Sequence, residues 1–317
     1  MGIKTRKIAI VGSGNVGSHC AFSLAIQGVC DEIVMIDKLE EKANAEAVDL
    51  SDTVSYLPHY VKSKKGTFKD CTDADIIVVS LGVPPEVNKA RLDFLKDTII
   101  EIDTIISPIL ESGFKGIFIV ISNPVDIIAH YIWEKTGFPK NKVFGTGTTL
   151  DSSRLRRILS DETGIDQKSI QAYCMGEHGD SQMVPWSHVY FGGKPLFDLM
   201  KEKPETYGKL DLQNLNYRTA NAAYEIIAGK GCTEFGISAG LAEIVKTIYH
   251  DEKKILPAST LLEGQYNQNN VFASVPVVMG KDGIEEIIEI KLIDDEQKKF
   301  NTSCAVLKEY IEKSKTL

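Results

Sequence analysis

The sequence predicts an α/β protein, with a doubly wound parallel sheet in its first half and a mixed α+β arrangement in its second. Three observations carry this reading. Short apolar runs rich in β-branched residues alternate with helix-length segments in the first half, a glycine-rich turn joins the first run to the first helix, and the alternation stops in the second half. At 317 residues the chain is about twice the size of a typical domain, so two lobes are expected.

In chain order, Lys7–Val11, Glu32–Ile36 and residues 76–81, 116–121 and 142–144 are near-continuous apolar stretches, as strands buried on both faces require. Residues 169–175 and 183–191 also read as strands, with Gly192-Gly193 as a turn. Residues 216–228 and 237–250 show helical spacing, with Gly229 and Gly231 closing the first helix. Residues 271–279 and 284–292 flank Lys281-Asp282-Gly283, where Asp-Gly signals a hairpin. Asp294 or Asp295 is expected to cap a last helix running towards Ser314.

Composition narrows the function. Apolar residues make up 43% and charged residues 25%, which suits a globular core, and 36 Lys+Arg against 44 Asp+Glu give a net charge of -8, which disfavours a nucleic-acid partner. No apolar run reaches the roughly 18 residues of a membrane-spanning helix, so no membrane partner and a cytoplasmic location are expected. The six cysteines (Cys20, Cys30, Cys71, Cys174, Cys232 and Cys304) form no C-x-x-C pair, so free thiols and no metal are expected.

Gly12-Ser13-Gly14-Asn15-Val16-Gly17 follows a strand directly and opens a helix. Glycines there let the backbone turn and approach a pyrophosphate, which the helix N-terminus stabilises. Asp37 ends the next strand, at the spacing of an acid that accepts ribose hydroxyls, and its charge would repel a 2′-phosphate, favouring NAD over NADP. Hydride chemistry needs a proton partner. Among the histidines, His178 stands in a glycine-flanked turn, Gly176-Glu177-His178-Gly179-Asp180-Ser181, just past a strand. Asp151 and Arg154 share one face at a helix start, where the acid could orient that histidine and the arginine grip a carboxylate; a simple surface ion pair fits the same spacing.

These motifs, with Ser122-Asn123-Pro124-Val125-Asp126, the run from Gly145 through Arg154, Gly229-Lys230-Gly231-Cys232-Thr233 and Ser274 through Gly280, resemble the L-lactate/malate dehydrogenase family in order and spacing over nearly the whole chain. Glu111-Ser112-Gly113-Phe114-Lys115-Gly116 and Thr136-Gly137-Phe138-Pro139 are most similar to L-2-hydroxyisocaproate dehydrogenases. The resemblance implies a Rossmann-type NAD-binding domain over 1–147, an α+β substrate domain over 148–317, and a homotetramer or dimer. It implies NAD held by Gly12, Gly14, Asn15, Val16, Gly17, Asp37 and Gly82, with Asn123 and Ile237 at the nicotinamide. It makes His178 the general acid/base, Asp151 its orienting partner, Arg154 the carboxylate binder, Arg91 the group polarising the carbonyl, and Thr233 a wall of the side-chain pocket.

The loop before Arg91 departs from the family. Lactate enzymes read Gln-Lys-Pro-Gly-x-x-Arg and malate enzymes begin with Arg, whereas this chain has Pro85-Glu86-Val87-Asn88-Lys89-Ala90-Arg91. Pro85 offers a dicarboxylate no charge partner and leaves room for an aliphatic group. A medium-chain or branched 2-oxo acid is therefore expected first, pyruvate/L-lactate as the alternative, and malate or a non-catalytic NAD-binding role third. Joint retention of Arg91, Asp151, Arg154 and His178 argues against the non-catalytic role. Activation by fructose bisphosphate in bacterial relatives pairs an arginine with a histidine; here Arg156 is present but Gln171 stands at the histidine position, so weak or no activation is expected.

Overall fold

The computed structural model describes residues 4–82 and 91–317, without the side chains of 91–93. The first half runs β1 (Lys7–Val11), α1 (Asn15–Ile26), β2 (Glu32–Ile36), α2 (Glu40–Thr53), β3 (Lys62–Lys65), β4 (Ile76–Val79), α3 (Arg91–Glu111), β5 (Ile117–Val120), α4 (Val125–Thr136) and β6 (Val143–Gly145). These strands pair in parallel in the order β3-β2-β1-β4-β5-β6. β1, β4, β5 and β6 are buried along their whole length, as helices on both faces require, and Ile8, Ile10, Ile76, Ile77, Phe118 and Phe144 fill the core between them. The chain moves outward from β1 through β2 to β3, then crosses back to β4 on the other side of β1 and moves outward again through β5 to β6. The carboxyl ends of β1 and β4 therefore flank a crevice.

The second half contains α5 (Thr149–Thr163), β7 (Ile170–Gln171), β8 (Tyr190–Phe191), β9 (Lys194–Pro195), α6 (Leu196–Glu202), α7 (Leu212–Lys230), α8 (Phe235–Tyr249), β10 (Lys254–Glu263), β11 (Asn269–Gly280), β12 (Gly283–Ile287) and α9 (Asp294–Ser314). β7, β8 and β9 form a small antiparallel sheet over a second core that includes Leu155, Ile158, Leu159, Trp186 and Leu196. β10, β11 and β12 instead continue the main sheet antiparallel beyond β6, through Ser259 opposite Gly145. The halves thus share one sheet, and the seam between them lies beside the carboxyl end of β6. No helix among the described residues is long and apolar enough to cross a membrane.

The expected strands 169–175 and 183–191 are realised only as β7, β8 and an isolated bridge between Met175 and Met183, because a 3-10 turn at Trp186–His188 interrupts the second run. The hairpin at Lys281-Asp282-Gly283 forms, with Gly283 at φ 91°. At the last helix Asp294 and Asp295 occupy the first turn rather than the cap. The Glu296 carboxylate accepts the N–H of Ile293 at 3.2 Å and also binds the Ser187 N–H at 2.8 Å, tying α9 to the small sheet.

Candidate active site

The crevice wall after β1 is made of backbone. Gly12, at φ 101°, donates its N–H to Ile36 O at 2.8 Å, and a Cβ on it would lie 2.3 Å from Ser80 O. A Cβ on Gly17 would lie 1.9 Å from Gly12 O, so both glycines are required by close approach. Gly14 differs: a Cβ there would meet nothing within 4 Å, because it faces the open crevice. No side chain caps α1 and no acid sits in its first turn, so the amide end around Asn15 and Val16 is left for an anion. The buried Ser13 hydroxyl also has no partner among the described residues.

Asp37 accepts the Ser13 N–H at 2.7 Å on one oxygen and the Leu39 N–H at 2.9 Å on the other. That fixes its carboxylate beside the loop while lone pairs remain for hydroxyl donors. These residues fit a dinucleotide with free ribose hydroxyls. Across the crevice, the turn between α7 and α8 carries half-buried Thr233, the first turn of α8 carries half-buried Ile237, and Asn15 Nδ2 donates to Cys232 Sγ at 3.3 Å, so that turn lies against the glycine loop. Gly82 is exposed at the carboxyl end of β4, and Asn123, also exposed, follows β5 and forms a cis peptide bond with Pro124. Pro85 and the side chain of Arg91 lie outside the described residues.

The opposite wall is made of charge. Gly147 turns the chain from β6 into α5, and the Thr148 hydroxyl donates to Cys174 O at 2.6 Å, which seats the start of α5 on the segment leading to His178. Leu155, Ile158 and Leu159 bury one side of α5, and its first turn presents Asp151 and Arg154 at 2% and 7% exposure. The His178 loop is fixed at several points. Gly176 pairs with Ser274 on β11, the Glu177 N–H reaches Ser303 Oγ on α9 at 2.8 Å, and the His178 N–H reaches Asp126 Oδ2 on α4 at 2.8 Å. Glu177, buried in turn, accepts from the Ser181 N–H at 3.1 Å and the Ser181 hydroxyl at 2.5 Å.

This brings three of the expected residues together. His178 Nδ1 lies 2.5 Å from Asp151 Oδ2, and Arg154 Nη1 lies 3.0 Å from Asp151 Oδ1. Asp151 as a carboxylate can only accept, so the imidazole donates from Nδ1–H, and Nε2 is the nitrogen left to give or take a proton. Burial works against the imidazolium, but the charge and hydrogen bond of Asp151, helped by Asp126 and opposed by Arg154, outweigh it and raise the pKa of His178 above its ordinary value. Burial likewise works against ionised Asp151, yet His178 and Arg154 together hold its pKa below the ordinary range. Among the described residues Arg154 Nε is buried without a partner, an unfilled donor of the kind a carboxylate ligand satisfies.

Asp126, Ser303 and Glu177 were not singled out by sequence. Ser303 stands more than a hundred residues downstream in an amphipathic helix and gave no signal, whereas Asp126 is a lone acid among the buried Val125, Ile127 and Ile128.

A dinucleotide crevice at a topological switch point, faced by a histidine–carboxylate pair and a buried guanidinium, defines a nicotinamide-dependent dehydrogenase. Comparison with known proteins narrows the class. Residues 6–145 match the model of the lactate/malate dehydrogenase NAD binding domain, and residues 148–317 that of the lactate/malate dehydrogenase alpha/beta C-terminal domain. The chain belongs to the lactate/malate dehydrogenase family, and it is an NAD-dependent oxidoreductase of the kind that acts on the CH–OH group of 2-hydroxy acids. It is 45% identical over 314 residues to the L-lactate dehydrogenase of Fusobacterium nucleatum subsp. nucleatum, covering 99% of this chain and 98% of that one. L-lactate dehydrogenase 3 of Bacillus anthracis is 43% identical, with 97% of each chain covered. The solved structure of the minor L-lactate dehydrogenase of Enterococcus mundtii in its ligand-bound form superposes with a TM-score of 0.95 at 38% identity, covering 98% of each chain.

Proposed function

We propose that the chain is an L-lactate dehydrogenase, interconverting pyruvate and L-lactate. The observation that carries this is the His178–Asp151 pair set beside Arg154 with its unfilled Nε, a geometry suited to one carboxylate and one carbonyl held side by side. The choice of lactate within the family is supported by relatives named L-lactate dehydrogenase that match over nearly their whole length. They favour what the sequence alone ranked as the alternative.

When bound, NADH supplies the hydride that reaches C2 of the keto acid. Gly12, Gly14, Asn15, Val16, Gly17, Asp37 and Gly82 would hold the cofactor, with Asn123 and Ile237 near the nicotinamide and the division between lobes falling at 147/148. Arg154 grips the substrate carboxylate with its free donors. As the carbonyl oxygen gains negative charge, the proton on His178 Nε2 passes to it and the hydroxyl forms. Asp151 holds the Nδ1 proton throughout, so the ring returns to one tautomer rather than two. Arg91 would polarise the carbonyl, Thr233 would bound the methyl group, and in the oxidation direction neutral Nε2 takes the hydroxyl proton. A homo-oligomer is part of the same reading, supported by the exposed Phe22 and Ile26 of α1 and Val48 of α2.

The second reading, a branched 2-oxo acid, is favoured by Pro85 in place of the family's glutamine or arginine. Following NADH absorbance with pyruvate, 2-oxoisocaproate, phenylpyruvate and oxaloacetate, and comparing kcat/KM, separates the two. Pyruvate leads if the proposal holds, and a lead for 2-oxoisocaproate replaces it with the second reading.

A further inference from the structure

The start of α4 holds a carboxyl group for which the mechanism above has no use. Asp126 is 2% exposed between apolar neighbours, a position where a carboxylate is costly unless something compensates it. One oxygen accepts the backbone N–H of His178 at 2.8 Å. The other is buried facing the Ser259 hydroxyl of β10, itself buried, and has no further partner among the described residues. The charged groups around the pair come from two helices. Asp151 and Arg154 of α5 and Asp126 of α4 face the His178 ring, and the Cys304 thiol of α9 adjoins Asp126.

We propose that Asp126 is a positioning residue of the reaction, a second counter-ion that pins the His178 loop by its backbone and holds the imidazole in the protonated form that meets a 2-oxo acid. The geometry places two carboxylates on the histidine, one on its ring through Asp151 and one on its main chain through Asp126, against the single guanidinium of Arg154. When His178 gives up its proton, both carboxylates lose their shared cation. The pair thus favours the protonated ring and opposes its neutralisation. Burial, joined by the charge of Asp151, raises the pKa of Asp126 itself, while Ser259, the His178 N–H and a protonated His178 ring work against that rise. This inference rests on the acid/base role of His178 given above.

Asp126→Asn keeps an acceptor for the His178 N–H and removes the charge. With kcat/KM measured against pH in both directions, the limbs for pyruvate reduction and for lactate oxidation are expected to move together to lower pH by about one unit. Above the limb, reduction then falls about tenfold, while below it oxidation rises by about the same factor. A purely structural role lowers both directions without moving either limb, and that result overturns the proposal. Ser259→Ala, which leaves the carboxylate but takes away the hydroxyl facing it, is expected to move the limbs the same way by less. Should Asp126→Asn fail to fold, unmoved limbs in Ser259→Ala overturn the proposal in its place. Wild-type protein that turns over no 2-oxo acid refutes the functional reading. Wild-type turnover with unmoved limbs in the variants refutes the role of Asp126 alone.

Discussion

The glycine loop after β1 and the polar centre between α4 and α5 face each other across one crevice, yet the first is shaped by backbone and the second by charge. In the loop, function depends on atoms that are absent: a methyl group on Gly12 or Gly17 collides with main-chain oxygen, and one on Gly14 projects into open space. In the polar centre, the proposed function depends on side chains that satisfy one another, with His178 Nε2 turned away from Asp151 and Arg154 Nε left without a partner among the described residues. The lesson is that substitutions on the two sides should fail in different ways. On the backbone side they should cost stability or cofactor affinity, on the charged side turnover.

His178→Ala is the strongest way to break that division. It is expected to lower kcat/KM for pyruvate by about 10³-fold, within the range for removal of a general acid, while NADH affinity read by fluorescence titration stays within about twofold. Loss of NADH binding in that variant would mean that the histidine loop belongs to the cofactor wall. The glycines sharpen the same comparison at smaller scale. Gly12→Ala, at positive φ and against Ser80 O, should cost about 2–3 kcal/mol in urea unfolding, whereas Gly14→Ala should leave the unfolding midpoint unchanged and weaken NADH binding. Equal destabilisation by both would show that Gly14 is structural.

The legibility of the chain follows the same line. β1 and β2 run over the residues the sequence predicts, because strands buried on both faces must be apolar throughout. β3, Lys-Ser-Lys-Lys, carries no such signal. It is an edge strand fixed by backbone pairing with β2, with Lys64 reaching Glu32 and Asp70. β10 escapes notice because Pro257 and the polar Ser259 and Thr260 interrupt its apolar run, although burial in the sheet keeps it extended. Among site residues, the glycine loop, Asp37, Asp151, Arg154 and His178 are legible because their spacing is tied to element ends. Ser303 and Glu177 are not, because their work is defined only by a loop meeting a helix from the far end of the chain.

A weaker effect is expected at Arg156. Burial lowers its pKa, and the resemblance to relatives activated by fructose bisphosphate puts Gln171 where those chains are expected to carry the partner histidine. Fructose bisphosphate at neutral pH is expected to change the half-saturating pyruvate concentration by less than about twofold, against the roughly tenfold drop that an intact coupling would give. A tenfold drop would place a second anion site on the charged side of the molecule.

The account turns on one proton, held at His178 by Asp151. The most direct measurement is kcat/KM for pyruvate against pH in the wild type and in Asp151→Asn. Because Asp151 raises the pKa of His178, the wild-type activity should persist above the ordinary histidine value of about 6.5, and the limb should fall by about one unit or more in the variant. A limb at the same pH in both proteins would contradict the account.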